Sequence, residues 1–361
     1  MSKTPAPEPK YNRCGFRIKI ITPAAVIRLA VFALFLMIIC VLGYYLMIRM
    51  PGKSYSGPLP ALTNEQILIR DGLVRDVNKL AGEIGERNIW NYKRYLAAAD
   101  FIEDCLVRAG YKVRRQEYEV EKKTCYNIEA ERLGTKYPEQ IIVIGAHYDS
   151  VYGTVGANDN ASGAAAVLAL ARYFAGVENV RTLRFVLFVN EEPPFYHTDK
   201  MGSMVYAKRC RTNGDNIIAM LSLETIGYYS DEPGSQKYPF PFNLAYPSTG
   251  NFIGFVSNLG DSRKLLHTVI GSFRKNCQFP SEGGAIPEIV AGINWSDHWS
   301  FWQYDYPAIM VTDTAPFRYK YYHSPYDTPD KIDYDRTARA VSGLQSVIAE
   351  LDSRGDVVYF R

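Results

Sequence analysis

The residues QIIVIGAHYD, Gln140 to Asp149, decide how this sequence folds. Ile141 to Ile144 form a short apolar run of β-branched side chains, with none of the polar alternation of a half-solvated strand. Such a run suits a strand covered on both faces, as in a parallel sheet. It ends in polar chemistry, His147 and Asp149, and ligands in open α/β sheets gather beyond the C-terminal ends of strands.

Outward from this strand the pattern alternates. Downstream it predicts helix 161–175, strand 182–190, helix 202–211, strand 216–227, helix 262–276, strand 307–313 and a final helix 336–352. Upstream, Asn64 is placed to cap a helix running to about Ile84. A second helix spans Trp90 to Ala109 and stops at Gly110. Strand-like segments follow at 111–120 and 126–131. This order predicts an α/β fold, a three-layer sandwich with a mostly parallel mixed central sheet.

A different solvent is implied at the N-terminus. Leu29 to Ile48, LAVFALFLMIICVLGYYLMI, carries no charge. At ~1.5 Å per residue it reaches ~30 Å, the thickness of a bilayer's hydrocarbon core. A helix of the soluble core would show a polar face, and this one shows none. A cleavable leader fits poorly, because RMPGKSYSG follows rather than a small-residue cleavage site. Of the chain's 41 lysines and arginines, eight fall within residues 1–53, opposed there only by Glu8. That excess predicts a cytoplasmic N-terminus and a body on the external side of the cytoplasmic membrane. The organisation expected is a basic tail (1–28), a single transmembrane helix (29–48), a linker (49–62) and one catalytic domain (63–361).

The remaining body is slightly acidic, which argues against a nucleic-acid partner. Its cysteines, 105, 125, 210 and 277, show no CxxC or finger-like spacing, so thiolate zinc is not expected. They read as small buried apolar residues.

Polar candidates collect at the predicted strand ends. After His147 and Asp149 comes GANDNASG with Asp159, just before a helix. TLRFVLFVN runs into the pair Glu191–Glu192, IIAMLSLETIG carries Glu224 near its end, and His323 stands in YYHSPYDTPD after the strand at 307–313. Strand ends on one side of a parallel sheet converge. Several carboxylates sharing one pocket repel one another unless cations neutralise them. Imidazole and carboxylate donors without thiolate favour zinc, with manganese or cobalt as chemical alternatives.

Taken in order, HYDS, GANDNASG, the NEE after an apolar strand, LETIGY, SDHWSF and YHSPYDTPDKI resemble the di-zinc exopeptidases typified by bacterial leucyl aminopeptidase. That superfamily also contains glutamate carboxypeptidases and glutaminyl cyclases. The resemblance covers roughly residues 60–355. It implies two zinc ions bridged by Asp159, one completed by His147 and Glu224, the other by Glu192 and His323. It further implies Glu191 as general base, Asp149 orienting His147, and a cis peptide bond between Asp159 and Asn160. The family's usual residue at position 224 is aspartate, so the glutamate here departs from the pattern by one methylene.

Asp297 and His298 in SDHWSF are candidates for contact with the metal ligands or substrate. Arg318, Tyr321 and Tyr322 are candidates for the substrate pocket, and the segment 193–203 for a specificity loop. His197 and His267 read as structural. The function expected is aminopeptidase action on peptides. Glutaminyl cyclase, carboxypeptidase and a non-catalytic ectodomain are the alternatives.

Overall fold

The computed structural model describes residues 22–353. The expected tail before Thr22, with Cys14, lies outside the described residues. The chain divides into two compact units between Tyr45 and Leu46. The first is described as helix α1 (Pro23–Gly43), with Thr22 capping the amide of Ala25 and Pro23 in the first turn, where a missing N–H is harmless. This start signal outweighs the charge of Arg28, so the helix begins earlier than the uncharged run. With the π-helical turns of Tyr44–Ile48, the apolar segment is 26 residues long, enough to cross a membrane.

The second unit carries α2 (Asn64–Val77), α3 (Tyr92–Arg108), β1 (Val113–Val120), β2 (Lys123–Arg132), β3 (Tyr137–His147), α4 (Gly163–Ala175), β4 (Arg181–Phe188) and α5 (Gly202–Asn213). Then come β5 (Asn216–Glu224), β6 (Ile253–Ser257), α6 (Asp261–Asn276), β7 (Ser281–Ala285), α7 (His298–Trp302), β8 (Ala308–Thr312), α8 (Ala315–Arg318) and α9 (Tyr334–Ser353). Among the described residues all eight strands join one sheet, in the order β1-β2-β4-β3-β5-β8-β6-β7. The central four, β4, β3, β5 and β8, are parallel. Antiparallel pairing enters at β1 and β2 on one flank and between β8 and β6 on the other.

The apolar strands explain the layers. Side chains alternate across a sheet, so Ile142, Ile144 and Ala146 of β3 join one core while Ile141 and Val143 join the other. Leu183, Phe185 and Leu187 of β4 likewise oppose Val186 and Phe188. The first core is closed by α2, α3, α4, α6 and α9. Over the second face, α5 and α7 cover the middle of the sheet. Beyond β8 that face is roofed by irregular excursions, including Tyr238, Phe242, Ile286 and Ile293.

Several local expectations shift. The first helix of the body is capped by Thr63, whose hydroxyl accepts the Gln66 amide while Gln66 Oε1 accepts the Thr63 amide. This reciprocal box satisfies two end donors, where Asn64 alone would satisfy one. Strands β6 and β7 escaped the pattern because they are five residues long and β7, SEGGA, has almost no apolar content. Among the described residues the cysteines are free, and Cys105, Cys125 and Cys210 are buried.

The expected linker is pinned. Arg274 donates to the carbonyls of Pro51 and Gly52, Ser54 accepts the amide of Ser281, and Arg339 binds the Pro60 carbonyl. Met50 and Leu59 pack against the main core. Residues 50–60 therefore form a strap along β7 and α9.

Arg87 is fully buried and crosses under the loop that leads to Asp159. Its guanidinium donates to the carbonyls of Gly85 (3.2 Å), Tyr148 (2.6 Å), Gly156 (2.7 Å) and Val155. Burial lowers its pKa to about 10, still charged at neutral pH. Arg87→Met keeps most of the volume but leaves these carbonyls without a donor. It should cost about 3 kcal/mol, read as a fall in the denaturation midpoint of detergent-solubilised protein. An unchanged midpoint would remove Arg87 from the loop's support.

Candidate active site

Four of the polar candidates sit at or just past the ends of parallel strands, and Asp159 and His323 reach them from loops. β3 ends on His147, β5 ends on Glu224, and Glu191 and Glu192 follow β4. His323 lies on the loop after α8. The chain turns sharply at these exits: Asn190, Thr225 and His323 all have positive φ, 57°, 44° and 53°. Non-glycine residues adopt that conformation rarely, and it clusters at functional sites.

Asp159 stands at the centre. Its Oδ1 lies 3.4 Å from His147 Nε2 and its Oδ2 lies 3.0 Å from His323 Nε2. Glu224 Oε2 is 3.2 Å from His147 Nε2, and Glu192 Oε2 is 3.3 Å from His323 Nε2. Two triads result, His147–Asp159–Glu224 and Asp159–Glu192–His323, each with donor atoms within 4.8 Å of one another. Glu191 belongs to neither triad, and its Oε2 is 3.7 Å from His147 Nε2.

The backbone around this centre is fixed by buried polar side chains. Asp149 Oδ1 lies 3.4 Å from His147 Nδ1, and the same carboxylate accepts the amides of Glu191 and Glu192 at 3.3 Å each. The Asp159–Asn160 peptide is cis. Asn160 donates to the Leu223 carbonyl and accepts the amides of Gly163 and Thr225, tying the Asp159 turn to the end of β5.

Four contributors, Asp327, Ser296, Asn158 and Asp313, lacked an assigned role in the sequence. Asp327 accepts the amides of Asn158 (2.8 Å) and Asp159 (3.0 Å) and a hydrogen bond from the Tyr319 hydroxyl. Ser296 donates to Glu224 Oε2 at 2.7 Å. Asn158 donates to Asp313, whose carboxylate also accepts the Tyr228 amide. Asp327 was in view, four residues past His323 in the same motif, and Ser296 precedes Asp297.

Asp297 is fully buried beside the cluster, and its charge acts on Glu191. The other candidates disperse. His298 bonds the Ile293 carbonyl at 2.7 Å and meets Trp302 edge-on, a structural role. Arg318 departs from its expected place in the pocket. Its guanidinium is buried and holds Gln236 Oε1 and the carbonyls of Tyr228 and Phe252, bracing the wall from behind. Tyr321 packs on Tyr319 and Tyr326, whereas Tyr322 stacks on the His323 ring at 3.9 Å and lines a pocket. His197 is stacked between Tyr196 and Trp299.

The electrostatics follow from crowding. Burial, then repulsion from Glu224 and Glu192, holds the Glu191 carboxyl well above the usual range, against the pull of His147. Burial with Asp159 nearby pushes Glu192 up to about 7, and burial chiefly pushes Asp297 to about 7. Burial opposes charge on His323 too, but hydrogen bonds to Asp159 and Glu192 win and raise it to about 11. Burial would likewise raise Asp159, yet its bonds with the two imidazoles hold it below the carboxylate range.

The residues fit divalent cations. Both ring nitrogens of fully buried His147 and both carboxylate oxygens of Asp297 lack a well-formed hydrogen bond, an arrangement proteins avoid unless something else satisfies the groups. The donor set is imidazole and carboxylate in both triads, which suits zinc.

The family model for peptidase family M28 matches residues 127–348. YfbL of Escherichia coli K12, described as an uncharacterized protein, is 35% identical over 288 residues, which cover 76% of this chain and 86% of that one. A zinc aminopeptidase from Bacillus subtilis superposes with a TM-score of 0.65 at 13% identity, over 79% of this chain and 95% of that one. A glutaminyl cyclase from Porphyromonas gingivalis does so with a TM-score of 0.59 at 18% identity, over 78% of this chain and 98% of that one. The two solved structures speak for a shared fold. The family match spans more than half of the sequence and includes all of the residues gathered around Asp159, so the chain belongs to peptidase family M28 and is a metallo-exopeptidase.

Proposed function

We propose that the protein is a zinc-dependent aminopeptidase with two ions per chain. The observation that carries this reading is the shared carboxylate of Asp159, with an imidazole on each oxygen and a second carboxylate beside each imidazole. His147, Asp159 and Glu224 would hold one ion, and Asp159, Glu192 and His323 the other. A dication pair so held supplies Lewis acidity, which acidifies water and polarises a peptide carbonyl.

Glu191 is left to move the proton. Its amide is anchored by Asp149, its carboxyl faces the cluster, and burial raises its affinity for protons. It takes the proton from water as the water oxygen bonds to the scissile carbon. It returns that proton to the amide nitrogen as the C–N bond breaks, so the amine leaves neutral. Asp149 keeps His147 and the two glutamates in register, and Ser296 fixes the orientation of Glu224.

A pocket opens beside Glu224 and Tyr322 and runs under the roof of the second core. Phe242, Phe255, Val256, Met310 and Phe317 line it, and among the described residues no lysine or arginine does. It suits a large apolar side chain on the N-terminal residue of the substrate and offers no cation to a substrate carboxylate, which favours aminopeptidase over carboxypeptidase action. We place this body outside the cytoplasmic membrane, on one N-terminal span, because of the basic excess before the apolar segment.

Three measurements test these assignments. The metal-loaded protein should cleave free peptides with large apolar N-terminal residues and leave N-acetylated versions intact. Equal cleavage of blocked peptides, or cyclisation of N-terminal glutamine alone, would overturn the aminopeptidase reading. Glu191→Gln should lower turnover by ~10²–10⁴-fold with its zinc content unchanged, whereas Glu192→Gln should lose zinc. A zinc-replete Glu191→Gln protein of near-normal turnover would reject the assigned base. Reporter fusions after Gly57 should be active only when the reporter works outside the membrane, and activity of a cytoplasm-only reporter there would reverse the orientation.

A further inference from the structure

The pocket beside Glu224 accounts for one side of the centre. In the sheet, β5 lies on one side of β3 and β4 on the other, so Glu224 and Glu192 flank His147 from opposite directions. Something different is built on the Glu192 side.

Two loops meet at that glutamate. The Val151 amide donates to Glu192 Oε1 and the Phe195 amide donates to the Glu192 carbonyl, both at 3.1 Å. One residue beyond Val151 stands Tyr152, and above Phe195 lies Trp90. The Trp90 and Phe195 rings stack with centroids 6.0 Å apart and planes 16° from parallel. Tyr152 meets Trp90 edge-on at 6.1 Å. Phe195 is buried, yet Trp90 is 52% and Tyr152 72% exposed.

The shelf is held from below. Asn88 Oδ1 accepts the amides of Trp90 and Asn91, and Asn88 Nδ2 donates to the Ser150 carbonyl. Glu86 accepts the Gly153 amide and a bond from Asn88. Large apolar rings presented to water on a braced support, beside a reactive centre, mark a surface that gains by being covered. Flat rings recognise flat or bulky apolar groups through stacking and area burial.

We propose that Trp90 and Tyr152, backed by Phe195, form the subsite for the substrate side chain that follows the scissile bond, and that it takes aromatic or large apolar residues. The proposal rests on the aminopeptidase reading. A peptide whose N-terminal side chain enters the pocket at Glu224 crosses Asp159 and sets its second residue over the Glu192 side. The pocket selects the residue released, and the shelf selects the one it is released from.

The test compares Leu-Phe-Gly with Leu-Gly-Gly on the full-length, zinc-loaded protein. A stacked ring is worth up to ~1.5 kcal/mol, so kcat/KM should favour the phenylalanine peptide by about tenfold, carried mainly by KM. In Trp90→Ala, and in Tyr152→Ser at the more exposed ring, that ratio should fall toward one. Should Trp90→Ala not fold, the Tyr152 variant alone decides. A wild-type ratio near one, or a high ratio unmoved by the substitutions, overturns the subsite and leaves the aminopeptidase standing. Cleavage of neither peptide by the zinc-loaded wild type overturns both.

Discussion

One carboxylate faces two imidazoles, and the architecture around the site serves that arrangement. Asp159 has His147 on one oxygen and His323 on the other. The first histidine comes from the middle of the sheet, the second from a loop more than 170 residues further along. Bringing them to opposite sides of one side chain demands parallel strands whose ends open in the same direction. It also demands that the turn bearing Asp159 be immobile. Asp327 grips its amides, Asn160 ties it to β5, and Arg87 fills the space beneath the preceding loop.

These supports share a logic. Asp327, Asn158, Asn160 and Arg87 are buried polar groups, and burying any of them unpaired would cost several kcal/mol. Each instead meets backbone amides or carbonyls of the segments that carry the site. The network is expensive to assemble incorrectly, so it specifies one geometry. The carboxyl groups left over, Glu191, Glu192, Glu224 and Asp297, crowd the centre, and burial holds all four above the ordinary carboxylate range. A cluster of that kind is a poor choice for stability and a good one for binding cations.

Much of this was legible in the sequence because its two periodicities are local. An apolar run of strand length, followed by a polar residue, signals both the strand and the edge at which its last side chain emerges. That is how His147, Asp159, Glu191, Glu192, Glu224 and His323 could be named before any coordinates. Their grouping into two triads, however, came with the resemblance and not from spacing. What stayed hidden depends on contacts between distant segments. Ser296 reaches Glu224 across 72 positions, and Arg318 turns inward to carbonyls of the 228–252 excursion. Strand β7 has no apolar signature because its face toward the pocket is made of Glu282 and Gly284. Residues 50–60 carry the prolines and glycines of a linker, and distant partners, Arg274, Ser281 and Arg339, convert them into a fixed strap.

That strap has a consequence for how the molecule behaves among copies of itself. β7 is the last strand of the sheet, and a bare edge is a template for another chain. Here the Ser281 amide is spent on Ser54 and the Ser281 carbonyl on Arg274, which also grips Pro51 and Gly52. The segment joining the apolar helix to the body thus doubles as a guard rail against sheet-to-sheet fusion. A body trimmed after residue 60 to make it soluble sheds its hydrophobic helix but also unzips this cover. It leaves the Ser281 amide without its partner, and a cut placed before Met50 keeps that hydrogen bond.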